Sequence, residues 1–286
     1  MGLSWQQGPL GLQPTGRFLS AEPLPARLLY AEPLRRRMRV QLRGAWVADS
    51  DDVWLLHEPD RYPVAYFPRA DVAEVLVPVE HRSTHPDLGE TAWFDLRVGK
   101  QIVPQAAWSH LAPPAHAKEF TDRVAFRWRA MDAFYEEDER IYGHAADPYH
   151  RVDIRASSRH LVVRAGERIV ADSTRPMVLH ETGFAPRWYV PRADVNAEAM
   201  VAIDDETFCP YKGLAEHWDV AGVPDAAFSY ASPYPEAERV VDHISFDPAL
   251  LDVRLDGRRL LATGGQEVIA HGSDRDLSPA ELQPTP

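Results

Sequence analysis

The chain has a single cysteine, Cys209, among 286 residues. No intramolecular disulfide is possible and no paired Cys-x-x-Cys zinc site can form, so a reducing cytoplasm is the expected compartment. Lysine is scarce while arginine, alanine, aspartate and proline are abundant, a bias associated with GC-rich bacterial genomes. No apolar run approaches the roughly 20 residues of a membrane span, so no membrane association is expected. The opening residues, Met1-Gly2-Leu3-Ser4-Trp5-Gln6, lack the charged and apolar regions of a secretory signal. Positive charge is short overall, with a formal net charge of −12. A general nucleic-acid binder needs a basic face, which removes nucleic acid from the expected partners. A small anionic ligand needs only two or three local cations and stays open. Helical periodicity over ten or more residues is largely missing as well.

What is present is a repeat. Val47-Ala48-Asp49-Ser50 returns as Val170-Ala171-Asp172-Ser173, and Leu56-His57-Glu58 as Leu179-His180-Glu181. Tyr66-Phe67-Pro68-Arg69-Ala70-Asp71-Val72 returns as Tyr189-Val190-Pro191-Arg192-Ala193-Asp194-Val195. All three blocks keep an offset of 123. The match continues with small slips: Pro86 and Gly89 with Pro210 and Gly213 at 124, Trp93 with Trp218 at 125, and Ala106-Ala107-Trp108-Ser109 with Ala226-Ala227-Phe228-Ser229 at 120. The chain therefore reads as two copies of one domain. Positions kept in both are candidates for scaffold, and positions kept in one are candidates for specialised chemistry.

Short segments rich in β-branched and aromatic residues, separated by Gly and Pro turns, predict an all-β fold with short helices. In the second copy His160–Arg164, Arg168–Ala171 and Met177–His180 read as strands. Arg187–Val190 reads as an edge strand because a proline follows it. Phe134–Arg140 reads as a short helix or a solvated run. The expected division is a first, degenerate copy with an irregular lead-in over 1–133, a linker over 134–158, the second copy over 159–257, and a mobile tail over 258–286.

Phe208-Cys209-Pro210-Tyr211-Lys212-Gly213 is the sharpest chemical segment. Proline and glycine bracket a turn, and a lysine beside a cysteine favours thiolate, the nucleophilic form. The competing reading is a buried, inert thiol. The first copy has Thr84-His85-Pro86-Asp87-Leu88-Gly89 there, so only the turn is kept. In His180-Glu181 one side chain faces inward and the other solvent. As an acid/base pair or ligand clamp it competes with a structural ion pair, Glu181–Arg192 repeated as Glu58–Arg69, which is favoured because both copies retain it. Arg187, opposite Val64, joins Arg192 and Lys212 as a candidate oxyanion clamp. Trp188, Tyr189, Tyr211 and Trp218 can line a pocket or fill a core. Asp172-Ser173 reads as turn chemistry, with Asp172 capping backbone N–H groups.

The ordered set Val-Ala-Asp-Ser, Leu-His-Glu-Thr-Gly, Arg-Trp-Tyr-Val-Pro-Arg-Ala-Asp-Val, Cys-Pro-Tyr-Lys-Gly and Ala-Phe-Ser-Tyr resembles the bacterial and fungal family called domain of unknown function 427. The match is strong over about 160–257 and weak over about 38–133. The resemblance implies a small antiparallel β domain similar to the β-tent fold, shared with B-type methionine sulfoxide reductases and the thalidomide-binding domain of cereblon. Those relatives hold zinc through paired Cys-x-x-Cys motifs. None exists here, so no metal or cofactor is expected. The family has been labelled a nucleotidyltransferase, yet no Gly-rich phosphate loop or clustered metal-binding carboxylates support that label. The positions resembling its signature site are His180, Glu181, Arg187, Tyr189, Arg192, Cys209, Tyr211, Lys212 and Trp218. The first copy departs at Val64, His85, Asp87 and Leu88.

The expected function is binding of a small anionic or aromatic ligand in a pocket of the second copy, through His180, Glu181, Arg187, Tyr189, Arg192, Tyr211 and Trp218. Two alternatives stand beside it. One is a small-molecule enzyme in which Cys209 is the nucleophile and Lys212 its activating cation. The other is a structural or partner-binding tandem. Sequence leaves the oligomeric state open.

Overall fold

Alternation of apolar and polar side chains builds the smaller sheets directly. Along Met38–Leu42, Met38, Val40 and Leu42 are buried while Arg39 and Gln41 face outward. The structure is a computed structural model that describes residues 2–261 and the backbone of the two-residue strand Ile269–Ala270. The tail expected to be mobile lies, beyond residue 261, outside the described side chains. Two units divide the chain, the first over Leu3–Pro148 and the second beginning at Tyr149.

Each unit holds one large and one small antiparallel sheet, with the strands in the same spatial order. In the first unit the large sheet runs Tyr30–Pro33, Trp54–His57, Val64–Pro68, Arg123–Phe126, Gln101–His110, Gly89–Val98, Leu76–His85. In the second it runs Val152–Ala156, Met177–Glu181, Arg187–Pro191, His243–Phe246, Val223–Ser229, Gly213–Val220, Met200–Cys209, and then Ile269–Ala270. The small sheets are built on Met38–Leu42 and Leu161–Ala165. The all-β, tandem expectation holds. Among the described residues no helix is long and apolar enough to cross a membrane.

Each large sheet is covered on both faces. One face packs on the small sheet through cores containing Val40, Leu55 and Phe67 in the first unit and Val163, Val190 and Ile244 in the second. The other face packs on a short 3-10 helix, Ala115–Phe120 or Pro235–Val240, through Tyr66, Trp108 and Phe120 or Tyr189, Phe228 and Val240. The candidate site lies in this second layer.

Several expectations need correction. Phe134–Arg140 is neither helix nor solvated run: it contributes to strands Ala133–Glu136 and Glu139–Ile141, with Phe134 buried and Glu136 paired to Arg36 at 2.7 Å. The stretch expected as a linker also holds Val152–Ala156, the first strand of the second large sheet. Asp153 pairs with His180 as Tyr30 pairs with His57, so the repeat reaches further upstream than its obvious blocks. Arg187–Pro191 is an interior strand, bonded on both sides. Pro191 is tolerated because it ends the strand, where the missing N–H breaks little of the ladder. Trp218 corresponds to Phe94, and Trp93 to His217: Trp93 pairs with Trp108 as His217 pairs with Phe228. The slip to an offset of 125 is thereby removed.

The repeated Asp-Ser and Arg-Ala-Asp blocks lock to each other. Ser50 Oγ donates to Asp71 Oδ2 at 2.6 Å, and Ser173 Oγ to Asp194 Oδ2 at 2.7 Å. It is thus Ser173, accepting from the Arg175 backbone N–H at 3.2 Å, that caps the turn; Asp172 instead meets the His160 ring at 2.7 Å. Ser173→Ala is expected to cost about 1.5–3 kcal/mol, the scale of a hydrogen bond to a charged group. Urea denaturation checks this, and no loss in the second unit's transition would contradict the lock.

Candidate functional site

A strand sends neighbouring side chains to opposite faces. Along Met177–Glu181 this puts Glu181 into the inner layer, 6% exposed, and His180 outward. A buried carboxylate requires compensating charge. Lys212, the only lysine after residue 118, supplies it by donating from Nζ to Glu181 Oε2. The turn that carries Lys212 closes with its backbone N–H on the Cys209 carbonyl at 3.2 Å. Gly213 ends that turn at φ +93°, a conformation glycine adopts without strain. His150 Nε2 meets the other carboxylate oxygen at 3.1 Å, and its ring stacks on Tyr211 with centroids 3.6 Å apart.

Burial acts to raise the Glu181 pKa, but Lys212 and His150 override it and hold the carboxyl at about 2. Burial acts to lower the Lys212 pKa, while Cys209 and Glu181 raise it to a position well above the ordinary lysine value. Burial pushes His150 down, so the ring is neutral. The expected activation of Cys209 is not met. The thiol is 8% exposed, and burial pushes its pKa up against the pull of Lys212. The lysine charge is already committed to Glu181.

Arg187 and Tyr189 pair with Leu179 and Met177, so they share the inner face with Glu181. Tyr189 is fully buried, edge-to-face on Phe228 at 6.1 Å, and the Arg187 guanidinium lies 4.9 Å over the same ring. Burial lifts the Tyr189 phenol to about 12, against Lys212 and Arg187. Glu181, Arg187, Tyr189, Cys209 and Lys212 are thus brought to one layer, with Tyr211 joined through His150. Arg192 and Trp218 are not. Arg192 is exposed and stacks on Trp218 at 4.9 Å, as Arg69 stacks on Phe94 at 5.1 Å. The favoured Glu181–Arg192 and Glu58–Arg69 ion pairs do not form, because each arginine sits on an outward-facing turn while each glutamate points inward.

The first copy solves the same charge problem with different residues. Glu58, 3% exposed, accepts from Arg27 and lies 3.2 Å from His85 Nε2. His85 Nδ1 accepts the backbone N–H groups of Asp87 and Leu88, both at 3.1 Å, which places the ring hydrogen on Nε2, facing Glu58. Arg27 and His150 occupy the same repeat position, as do His85 and Cys209, and Leu88 and Lys212. Each copy surrounds its glutamate with one permanent cation and one histidine, drawn from different positions of the repeat. Sequence reading missed Arg27 and His150, although their offset of 123 matches the strongest blocks.

Sequence reading also missed a groove. On the opposite face of the second unit's large sheet, a cavity of about 930 Å³ opens between the two sheets. Leu161, Val163, Trp188, Phe246, Val253 and Leu255 form its apolar wall, and His180, Arg159, Arg187, Arg258, Arg259 and Asp247 also line it. Arg159 pairs with Asp256 at 2.7 Å and Arg259 lies 3.7 Å from Asp252. Among the described residues no carboxylate forms an ion pair with Arg187 or Arg258. The matching place in the first unit is closed to about 40 Å³. Ala65 stands there for Trp188. Trp128 stacks on Phe134 at 3.8 Å, and Tyr62 is sandwiched between Trp5 and His144 at 5.1 and 4.2 Å.

Two outcomes follow for the buried charges. Lys212→Met, which strands Glu181, is expected to cost about 3–5 kcal/mol, and adding Glu181→Leu to recover most of it. Urea denaturation measures both, and a single variant within about 1 kcal/mol of wild type would contradict the pairing. In the first copy burial lowers His110 from 6.5 to about 4. Its contribution is therefore complete above pH 6.5 and is lost as pH falls through about 4, an effect of about 3 kcal/mol. Stability curves of wild type and His110→Gln across that range should converge toward acid, and parallel curves would refute the assignment.

No curated protein matches the chain by sequence. A family model described as a domain of unknown function, DUF427, matches residues 30–137 and again 153–257. Those stretches begin at the paired first strands, Tyr30–Pro33 and Val152–Ala156. The chain therefore belongs to the DUF427 family, as two tandem copies of its domain.

Proposed function

We propose that the second copy binds a small molecule with an apolar body and an anionic group, seated in the groove between its sheets. The observation that carries this reading is the contrast between the copies: about 930 Å³ open in the second and about 40 Å³ left in the first. Ligand sites are concave, mostly apolar, and carry a few polar groups that fix orientation. The apolar wall gives this groove the first property, and Arg258 and His180 give it the second. Arg258, with no carboxylate partner among the described residues, offers this lining an uncommitted cation in a chain of net charge −12. Guanidinium forks match carboxylate and phosphate oxygens. The Cys209 enzyme reading has less support, since a buried thiol with a raised pKa is a weak nucleophile.

Titration of the full chain with dodecanoate and with 2-naphthoate, followed by calorimetry and tryptophan fluorescence, tests this. At least one of the two is expected to bind saturably. Arg258→Ala is expected to weaken it by about tenfold, the value of one charge-assisted contact. Trp188→Ala should remove the fluorescence change. No saturable binding of either probe, or binding indifferent to both substitutions, would overturn the reading.

A further inference from the structure

The first copy also shows how the buried tyrosine of this fold is ordinarily satisfied. Tyr66 Oη lies 3.0 Å from His110 Nε2 and accepts from the Trp108 indole N–H at 3.3 Å. Thr91 Oγ1 holds the far side of His110 at 3.0 Å. In the second copy Phe228 replaces Trp108, Tyr230 replaces His110 and Ala215 replaces Thr91. The Tyr189 hydroxyl is left fully buried with no partner among the described residues. Exchanging indole for phenyl removes the donor together with the ring that carried it.

Two further substitutions act in the same direction. Ser245, the cross-strand neighbour of Tyr189, stands where the first copy has Ala125 opposite Tyr66. Its hydroxyl is also fully buried and unpartnered among the described residues. Arg187 stands where the first copy has Val64, with its guanidinium over Phe228. A buried polar group without a partner is costly and calls for an explanation, such as an ion or ligand held there. Here two hydroxyls and one cation are added or released together, in one copy only. The charges of this layer, Glu181 against Lys212 and Arg187, leave one positive charge over.

We propose that this layer of the second copy binds a small monoanion, a carboxylate group, with Tyr189 Oη as hydrogen-bond donor and Arg187 as the neighbouring cation. Lys212, held by Glu181, contributes positive potential, and Ser245 offers a second hydroxyl beside Tyr189. The phenol stays protonated at neutral pH and so can donate. This site is separate from the groove, because Tyr189 points to the opposite face of the sheet from Trp188.

Acetate is the probe, compared with chloride at equal ionic strength on the full chain. Line broadening of ¹³C-acetate and the melting temperature of the second unit are the readouts. Acetate is expected to bind saturably and to raise that melting temperature. Tyr189→Phe and Arg187→Val should each weaken acetate by about tenfold. Tyr66→Phe should lower stability by breaking its own hydrogen bonds and leave acetate binding unchanged. If Tyr189→Phe does not fold, Arg187→Val, at a half-buried position and with the first copy's residue, decides. A response no different from chloride, acetate binding that survives both second-copy substitutions, or binding lost with Tyr66→Phe would each overturn the proposal. The first of these would leave water as the occupant of the hydroxyl.

Discussion

A carboxylate sealed beneath a sheet must be neutralised where it lies, and both copies are organised around that demand. Glu58 and Glu181 hold the same repeat position at the end of equivalent strands, Trp54–His57 and Met177–Glu181, and both are buried. Everything that approaches them is fixed by the need for positive charge. In the second copy this explains the glycine-ended turn that delivers Lys212 and the position of His150 at the start of the unit. In the first it explains why Arg27, just ahead of the strand Tyr30–Pro33, is drawn inward and also bonds Asp87 at 2.8 Å. One cation and one histidine per glutamate is the invariant. Which repeat position supplies each is free to change, because the carboxylate responds to local potential and hydrogen bonding rather than to residue identity.

That freedom bears on function. The thiol of Cys209 occupies the place where the first copy uses His85 to complete its charge network. With Lys212 engaged by Glu181, the thiol is left as a small buried group whose ionisation is opposed by its surroundings. The second copy differs more instructively in its unmet hydrogen-bonding capacity and in its open groove. The first copy has spent the equivalent places on packing: Trp108 and His110 around Tyr66, and Trp128, Tyr62 and His144 in the groove. One copy is a filled scaffold while the other keeps space and unmet hydrogen-bond donors.

The sequence alone makes the tandem organisation, the all-β class and the family legible, because these rest on periodicity and on blocks of identity at a constant offset. It also names Glu181, Arg187, Tyr189, Cys209 and Lys212, which the fold brings into one layer. It fails at Arg192 and Trp218, whose repetition reflects a cation stacked on a ring at the sheet surface. It fails at the groove too, since Arg159 lies about a hundred residues from Arg258 and Arg259 in sequence and none of them belongs to a motif.

Alternation along each strand determines which side chains face inward, so the burial of Glu181 and the exposure of His180 are already written in a period of two. Partner choice is a different quantity. Whether Glu181 meets Arg192 or Lys212 depends on where the turns between strands place their side chains. Whether Tyr189 is satisfied depends on a ring two strands away. Charge neutralisation and hydrogen bonding act over a few ångströms in space, whatever the separation along the chain, and only the tertiary structure decides them.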